Sequence, residues 1–260
     1  DEKRNFVKIM NPLGEETSVM RTTLIPNMLD VISTNISHKV EEVSAFECGN
    51  TFIPQEGLPI ETKKYCVGMY GKEVDFFVLK GVIESVLNNV GLKGYEIEPE
   101  TTNLTFHPGR CAKIVYNNIY IGTFGELHPD VIENYNLGQR VYVAEINIDT
   151  VFENLNLTKS YNPLPKYPST SRDIALIVKD EVFVKQIEDI IKANGEDLVE
   201  SYKLFDVYKG AQIEEGHKSI AYSITYRSKD KTLTDEDVAK VHEKILSELS
   251  EKLNANLISN

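Results

Sequence analysis

SRDIALIVKDEVFVKQIEDIIKANG, residues 171–195, changes its hydrophobic period partway along. Up to Asp180 the residues alternate, with Ile174, Leu176 and Val178 on one side and Asp173, Ala175 and Ile177 on the other, the period of a strand. From Val182 the repeat becomes Val184, Ile187, Ile190 and Ile191 and closes on Gly195, which reads as a helix with its stop signal. DLVESYKLFDVY (197–208) and HKSIAYSITYR (217–227) follow as two strands joined by a loop around Gly210 and Gly216. Thr234 opens T-D-E-D, a capping-box start, and Val238, Val241, Ile245, Leu249 and Leu253 form one helical stripe. NANLI (254–258) supplies a last edge strand. The order β-α-β-β-α-β is the split ferredoxin-like pattern, which lays both helices on one face of an antiparallel sheet and leaves the other open.

Alternation lists that open face. Asp173, Ala175 and Ile177 fall on it from the first strand, and Asp206 and Tyr208 from the second. Phe205 and Val207 are expected to join the core. In the third strand Ile220, Tyr222, Ile224 and Tyr226 make one row, and Ser219, Ala221, Ser223 and Thr225 the other. A platform of small residues carrying one acid and one phenol offers a flat ligand an approach; a solvated polar face has the same pattern.

Upstream, ENLNLTKSYNPLPKYPST (153–170) carries Pro163, Pro165 and Pro168 among polar residues and reads as an extended connector. Before it, residues 20–37 predict a turn and a helix, 41–53 a strand pair, 64–71 a strand and 75–92 a helix ending near Gly91. RCAKIVYNNIYIGTFGEL (110–127) alternates on both sides of Asn117-Asn118, a two-residue hairpin signal, and 140–152 reads as a closing strand. This first part is therefore an α+β domain built on antiparallel strands.

The 260 residues suffice for two ordinary domains. Three scattered cysteines, Cys48, Cys66 and Cys111, argue for a reducing compartment, with the cytoplasm as default. No apolar run approaches a membrane span. The net charge is −12, divided as 14 Lys and Arg against 22 Asp and Glu in residues 1–160 (−8) and 14 against 18 in residues 161–260 (−4). A polyanion would therefore have to be met by local basic patches.

His107, Cys111, Glu126 and His128 sit in FHPGRCA (106–112) and FGELHPD (124–130), at opposite ends of the same hairpin, but their spacing matches no zinc pattern, so no metal site is assigned. No phosphate-loop, dinucleotide or nucleophile-elbow motif is present, and Asp235, Glu236 and Asp237 fit the first turn of a helix. No catalytic residue is assigned.

Eight segments in order carry a resemblance: NPLGEETSVMRTTLIPNML (11–29), FECGNTF (46–52), VDFFVLKGVIESVL (74–87), LTFHPGRCAKI (104–114), IGTFGELHP (121–129), YPSTSRDIALIV (167–178), LFDVYKG (204–210) and GHKSIAYSITYRSKDKTLTDEDV (216–238). Together they resemble the C-terminal part of the bacterial phenylalanyl-tRNA synthetase β chain. The resemblance implies a class II synthetase-like module over 1–155 that has lost catalysis and pairs with the catalytic α chain. Over 165–260 it implies a ferredoxin-fold anticodon-binding domain. The family enzyme is an (αβ)2 heterotetramer in the cytoplasm that uses ATP and Mg to join phenylalanine to tRNA(Phe); this fragment itself implies no cofactor, no DNA and no membrane. The family's base-reading positions fall on Ala175, Asp206, Tyr208 and Ser219, all on the open face listed by alternation. Arg227, Lys229 and Lys231 in RSKDK are candidate phosphate contacts, with a solvated turn as the competing reading. FGELHP lacks the motif-3 arginine of active class II sites, and Arg21 faces no recognisable ATP site. An RNA-like fold and an editing module are expected upstream, and the family's Leu-Arg finish is missing from NANLISN. The alternatives are a ferredoxin-like small-molecule sensor domain fused to an α+β domain, for which VKDEVFV (178–184) offers no glycine-rich loop, and a metal hydrolase using His107 and His128.

Overall fold

The computed structural model describes residues 4–155, 157, 158, 161, 163–210 and 212–258. Asn156, Lys159, Ser160 and Asn162 of the expected connector, Ala211 of the 210–216 loop, and Ser259 and Asn260 of the tail lie outside the described residues. The chain forms two compact units, Asp1–Lys159 and Ser160–Asn260.

The first unit is one six-stranded sheet, ordered β1-β2-β6-β5-β4-β3 with every neighbour antiparallel. Its elements are α1 (Ile25–Ser37), β1 (Val43–Ile53), β2 (Ile60–Tyr70), α2 (Phe76–Asn89), β3 (Glu96–Pro99), β4 (Phe106–Tyr116), β5 (Ile119–Leu127), α3 (Pro129–Asn134), β6 (Tyr142–Asn147) and α4 (Ile148–Glu153). Both faces are covered. One carries Leu79, Ile83 and Leu87 of α2 and Val151 of α4, the other Ile25, Met28, Leu29 and Ile32 of α1. Alternation in β2 serves both, sending Val67 and Met69 to the first layer and Cys66 and Tyr70 to the second. Gly68 lies where α1 crosses: a Cβ there would fall 2.6 Å from Met28 Cγ and 2.7 Å from Ile32 Cδ1.

The hairpin between β4 and β5 turns on Asn117 and Asn118, with φ of 49° and 64°, the left-handed pair that a two-residue turn between twisted strands requires. Two expectations for this unit are corrected, and one strand is added. Residues 43–53 form one unbroken strand rather than a pair, because β1 keeps register with β2 from Val43↔Tyr70 to Ile53↔Ile60. Residues 140–152 do not stay extended: Asn147 Oδ1 accepts the Thr150 amide and starts α4. The short strand β3 has no counterpart in the pattern read from sequence.

The second unit contains β7 (Thr170–Lys179), α5 (Val184–Asn194), β8 (Val199–Tyr208), β9 (His217–Tyr226), α6 (Asp235–Leu253) and β10 (Asn256–Leu257). Its sheet runs β10-β7-β9-β8, all antiparallel. Thr234 and Asp237 exchange hydrogen bonds at the start of α6, Oγ1 accepting at 3.2 Å and Oδ2 at 3.1 Å. The Val238, Val241, Ile245 and Leu249 stripe is buried against Ile174, Leu176, Val178, Ile220, Tyr222 and Ile224, with Ile187, Ile190 and Ile191 of α5 beside it. Each such aliphatic side chain contributes about 1.5–3 kcal/mol by leaving water.

Phe205 and Val207 are not core. They are 54% and 51% exposed. The cause is a bulge: Leu204 pairs with Tyr222 and Asp206 with Ala221, so Phe205 is an extra residue without a partner. Val207 pairs with Ile220 on the helix side, but β8 is the edge strand and the core does not reach that far along it.

Candidate nucleic-acid interface

The register sets out the open face in rows. Ala175 and Asp206 flank Ala221 across β7, β9 and β8, and Ile177, Ser219 and Tyr208 form the next row. Strands stand about 4.8 Å apart, so Ala175 and Asp206 are about 10 Å apart at the backbone, with the methyl of Ala221 as the floor between them. Asp173, Ser223 and Lys203 form the following row, and Ser171, Thr225 and Ser201 the one after. Small side chains keep the middle low while the acid and the phenol stand at the β8 edge.

The β8 bulge is what puts them there. Tyr202 and Leu204 pack on the helix core, so unbroken alternation would carry Asp206 and Tyr208 inward as well. The extra residue at Phe205 reverses the parity, and both side chains emerge on the open face opposite Ala221 and Ser219. Asp206 is exposed, and Tyr208 is 42% exposed. Tyr208 is also held from behind: a Cβ on Gly210 would lie 2.2 Å from its Oη and 2.5 Å from Cζ, so the ring rests over the bare glycine. The sequence signal for this seat is a glycine two positions after a strand-ending tyrosine, a spacing that alternation alone does not mark as part of a site.

The RSKDK loop lies elsewhere. From Ala221 to Arg227, β9 runs about 20 Å toward the far end of the sheet. There Arg227 Nε binds Glu200 Oε1 at 2.9 Å and its Nη1 donates to the Tyr167 carbonyl. Lys231 Nζ holds both Asp237 oxygens at 2.9 and 2.7 Å. That contact, with the Thr234 bonds, holds the Asp237 carboxyl down at about 2. Lys229 is exposed in the same loop. The second unit also carries a half-buried His242, 2.9 Å from Tyr226 Oη, whose pKa is lowered by burial and by nearby Arg172.

In the first unit several charged groups are held in pairs. Arg21 binds Glu47 at 2.6 Å and donates to the Asn50 carbonyl at 3.0 Å; its guanidinium occupies the space a Cβ on Gly49 would take. Buried Glu145 accepts from Thr23 Oγ1, the Leu24 amide and Lys64 Nζ, fixing the entry to α1. Glu126, also buried, is held by Arg110 at 2.9 Å, Arg140 at 3.7 Å and Tyr142 Oη at 3.2 Å. His107 Nδ1 and His128 Nδ1 accept the backbone amides of Gly109 and Asp130, and burial pushes the Cys111 thiol up to about 12. Among the described residues no three His, Cys, Asp or Glu side chains come together to hold a metal ion, and no helix is long and apolar enough to cross a membrane.

A four-stranded antiparallel sheet with two helices behind it belongs to the class of ferredoxin-like folds, here with an acid and an aromatic on the open face. Residues 165–257 match the family described as ferredoxin-fold anticodon binding domain, and residues 1–148 match the phenylalanyl tRNA synthetase beta chain CLM domain. The chain belongs to the phenylalanyl-tRNA synthetase beta chain family. It is 46% identical over 260 residues to the phenylalanine–tRNA ligase beta subunit of Clostridium tetani, covering 99% of this chain and 33% of the relative. Identity to the Clostridium acetobutylicum subunit is 46% over 259 residues, covering 98% of this chain and 33% of the relative. To that of Bacillus licheniformis it is 36% over 271 residues, covering 98% and 33%. The chain thus spans about a third of the length of the curated relatives it matches. Among solved structures, a pyrrolysyl-tRNA synthetase of Desulfitobacterium hafniense, PylSc, aligns at TM-score 0.46 and 13% identity over 55% of this chain and 51% of its own. The family match does not favour the sensor alternative.

Proposed function

We propose that this chain is the C-terminal part of the β subunit of a phenylalanine–tRNA ligase, in which residues 165–260 bind the tRNA(Phe) anticodon and residues 1–155 form a non-catalytic class II synthetase-like module that supports the catalytic α subunit. The observation that carries the reading is the register that puts Ala175, Asp206, Tyr208 and Ser219 on adjacent rows of one exposed face. Guanine's Watson–Crick edge presents neighbouring N–H donors. Asp206 accepts them as a pair, Tyr208 offers the stacking surface, Ala175 leaves room for the base, and Ser219 supplies a hydroxyl.

The whole enzyme is an (αβ)2 heterotetramer in the cytoplasm using ATP and Mg. Among the described residues of the first unit, Arg21 and Lys64 are each bound to a carboxylate, at 2.6 and 3.0 Å. In this reading the chemistry of amino-acid activation belongs to the α chain, and this chain contributes shape and tRNA contact. Exposed apolar groups on the first unit, Phe46 at 72%, Leu58 at 85% and Phe77 at 73%, suit the burial that subunit pairing supplies. The test is co-expression of the full-length β subunit with its α subunit. Co-purification as a tetramer with phenylalanylation of tRNA(Phe) is expected, and an α subunit that charges tRNA unaided and ignores the β chain refutes it.

A further inference from the structure

A sheet face that receives a nucleotide must meet its phosphate as well as its base, and the RSKDK loop is about 20 Å away along β9 with Arg227 and Lys231 already bound to Glu200 and Asp237. Most other cations of the second unit are similarly committed. Arg172 holds Asp235, Lys179 approaches Glu181 at 4.0 Å, Lys209 holds Asp180 at 2.6 Å, and Lys218 donates to the Asp180 carbonyl at 2.9 Å. Among the described residues of this unit, the lysines with neither an ion pair nor a side-chain hydrogen bond are Lys166, Lys192, Lys203, Lys229 and Lys240. Lys192 and Lys240 ride on α5 and α6, behind the sheet, and Lys166 and Lys229 lie in irregular segments. Lys203 alone is on the open face, exposed, opposite Ser223 and in the row next to Asp206.

We propose that Lys203 is the backbone-phosphate contact of the anticodon face, an inference that rests on the anticodon reading above. Tyr208, Asp206 and Lys203 make one column along the β8 edge, so a single strand lying on that edge meets a stacking plane, a base acceptor and a cation in succession. The cation also halves the negative charge of these rows. Asp173 and Asp206 are their acids, and without Lys203 the approach of a polyanion would be opposed by both carboxylates at the place where the base must dock. A phosphate contact positions without reading sequence, which separates its effect from that of Asp206.

The experiment measures binding of tRNA(Phe) and its first-anticodon-base variants to the full-length β subunit in complex with its α subunit, across a salt series, for wild type, Lys203→Ala, Lys203→Arg and Asp206→Asn. Lys203→Ala is expected to weaken binding roughly fivefold for every base variant alike and to lower the slope of log affinity against log salt by about 0.7, with Lys203→Arg restoring both. If Asp206→Asn loses base preference while Lys203→Ala keeps wild-type affinity and slope, the anticodon reading stands and the phosphate assignment falls. If neither variant changes binding, the face does not hold the anticodon and both fall together.

Discussion

Replacing Asp206 by Asn tests the base-reading role at a single atom. The carboxylate offers two equivalent acceptors to two adjacent guanine donors. The amide keeps one acceptor and sets an NH2 group against the other donor. A hydrogen bond to a charged group is worth about 1.5–3 kcal/mol. Asp206 is exposed and stands on the edge strand, where water competes for it before binding, so the lower half of that range applies. A loss of about 1.5–2 kcal/mol corresponds to roughly ten- to thirtyfold in preference at the first anticodon base. The assay is kcat/KM for aminoacylation by the assembled enzyme, with tRNA(Phe) carrying each first anticodon base. Asp206→Asn should flatten the preference mainly by lowering kcat/KM on the guanine-bearing tRNA. Stability should be unaffected, because the side chain has left the helix-packed layer through the β8 bulge. An unchanged preference, with protein that unfolds at the wild-type urea concentration, would refute the reasoning and leave the acid as an ordinary solvated group.

Tyr208→Ala should weaken tRNA use by about 1–3 kcal/mol across all base variants, since stacking is tolerant of base identity. Gly210→Ala should reproduce part of that loss by pushing the ring off its seat, and adding it to Tyr208→Ala should cost nothing more; additive losses would show that Gly210 acts by another route. The pKa of His242 is lowered in the folded chain, so the unfolded state takes up its proton first. Stability of the second unit should therefore fall as pH drops below about 6.5, and a urea midpoint flat between pH 7 and pH 5 contradicts this. Asp237, held down at about 2, contributes stability that is present above its ordinary 3.8 and is lost as pH falls from there through about 2. The acid limb of the urea-midpoint profile should shrink in Asp237→Asn.

Periodicity made the second unit legible because its helices and strands each bury one continuous stripe. Val238, Val241, Ile245 and Leu249 repeat as a helix must, and Ile174, Leu176 and Val178 as a strand must, so local pattern and tertiary packing agree. Turn chemistry was equally direct at Asn117-Asn118 and at the Thr234 cap, since both motifs satisfy their own backbone within a few residues. The first unit was harder to read because its sheet is covered on both faces. Alternation then separates two apolar layers rather than core from solvent, and the boundary between β6 and α4 carries no hydrophobic signal.

What the sequence determined on its own is the order of elements in the second unit and the side of β7 and β9 that meets the helices. It also placed an acid and a phenol beside small residues. What only the tertiary structure decided is why that acid and phenol face outward. Parity counted from Tyr202 and Leu204 buries them, while parity counted from Phe205 and Val207 exposes them. The conflict is resolved by one unpaired residue, Phe205, whose position depends on the register with β9 and not on any neighbour in the chain. The cations were settled in the same way. Arg227 and Lys231 look free in the sequence and are bound in the fold, whereas Lys203 stands unpaired beside Asp206. Charge pairing is a three-dimensional property, and the carboxylate that claims Arg227 comes from Glu200, on the neighbouring strand.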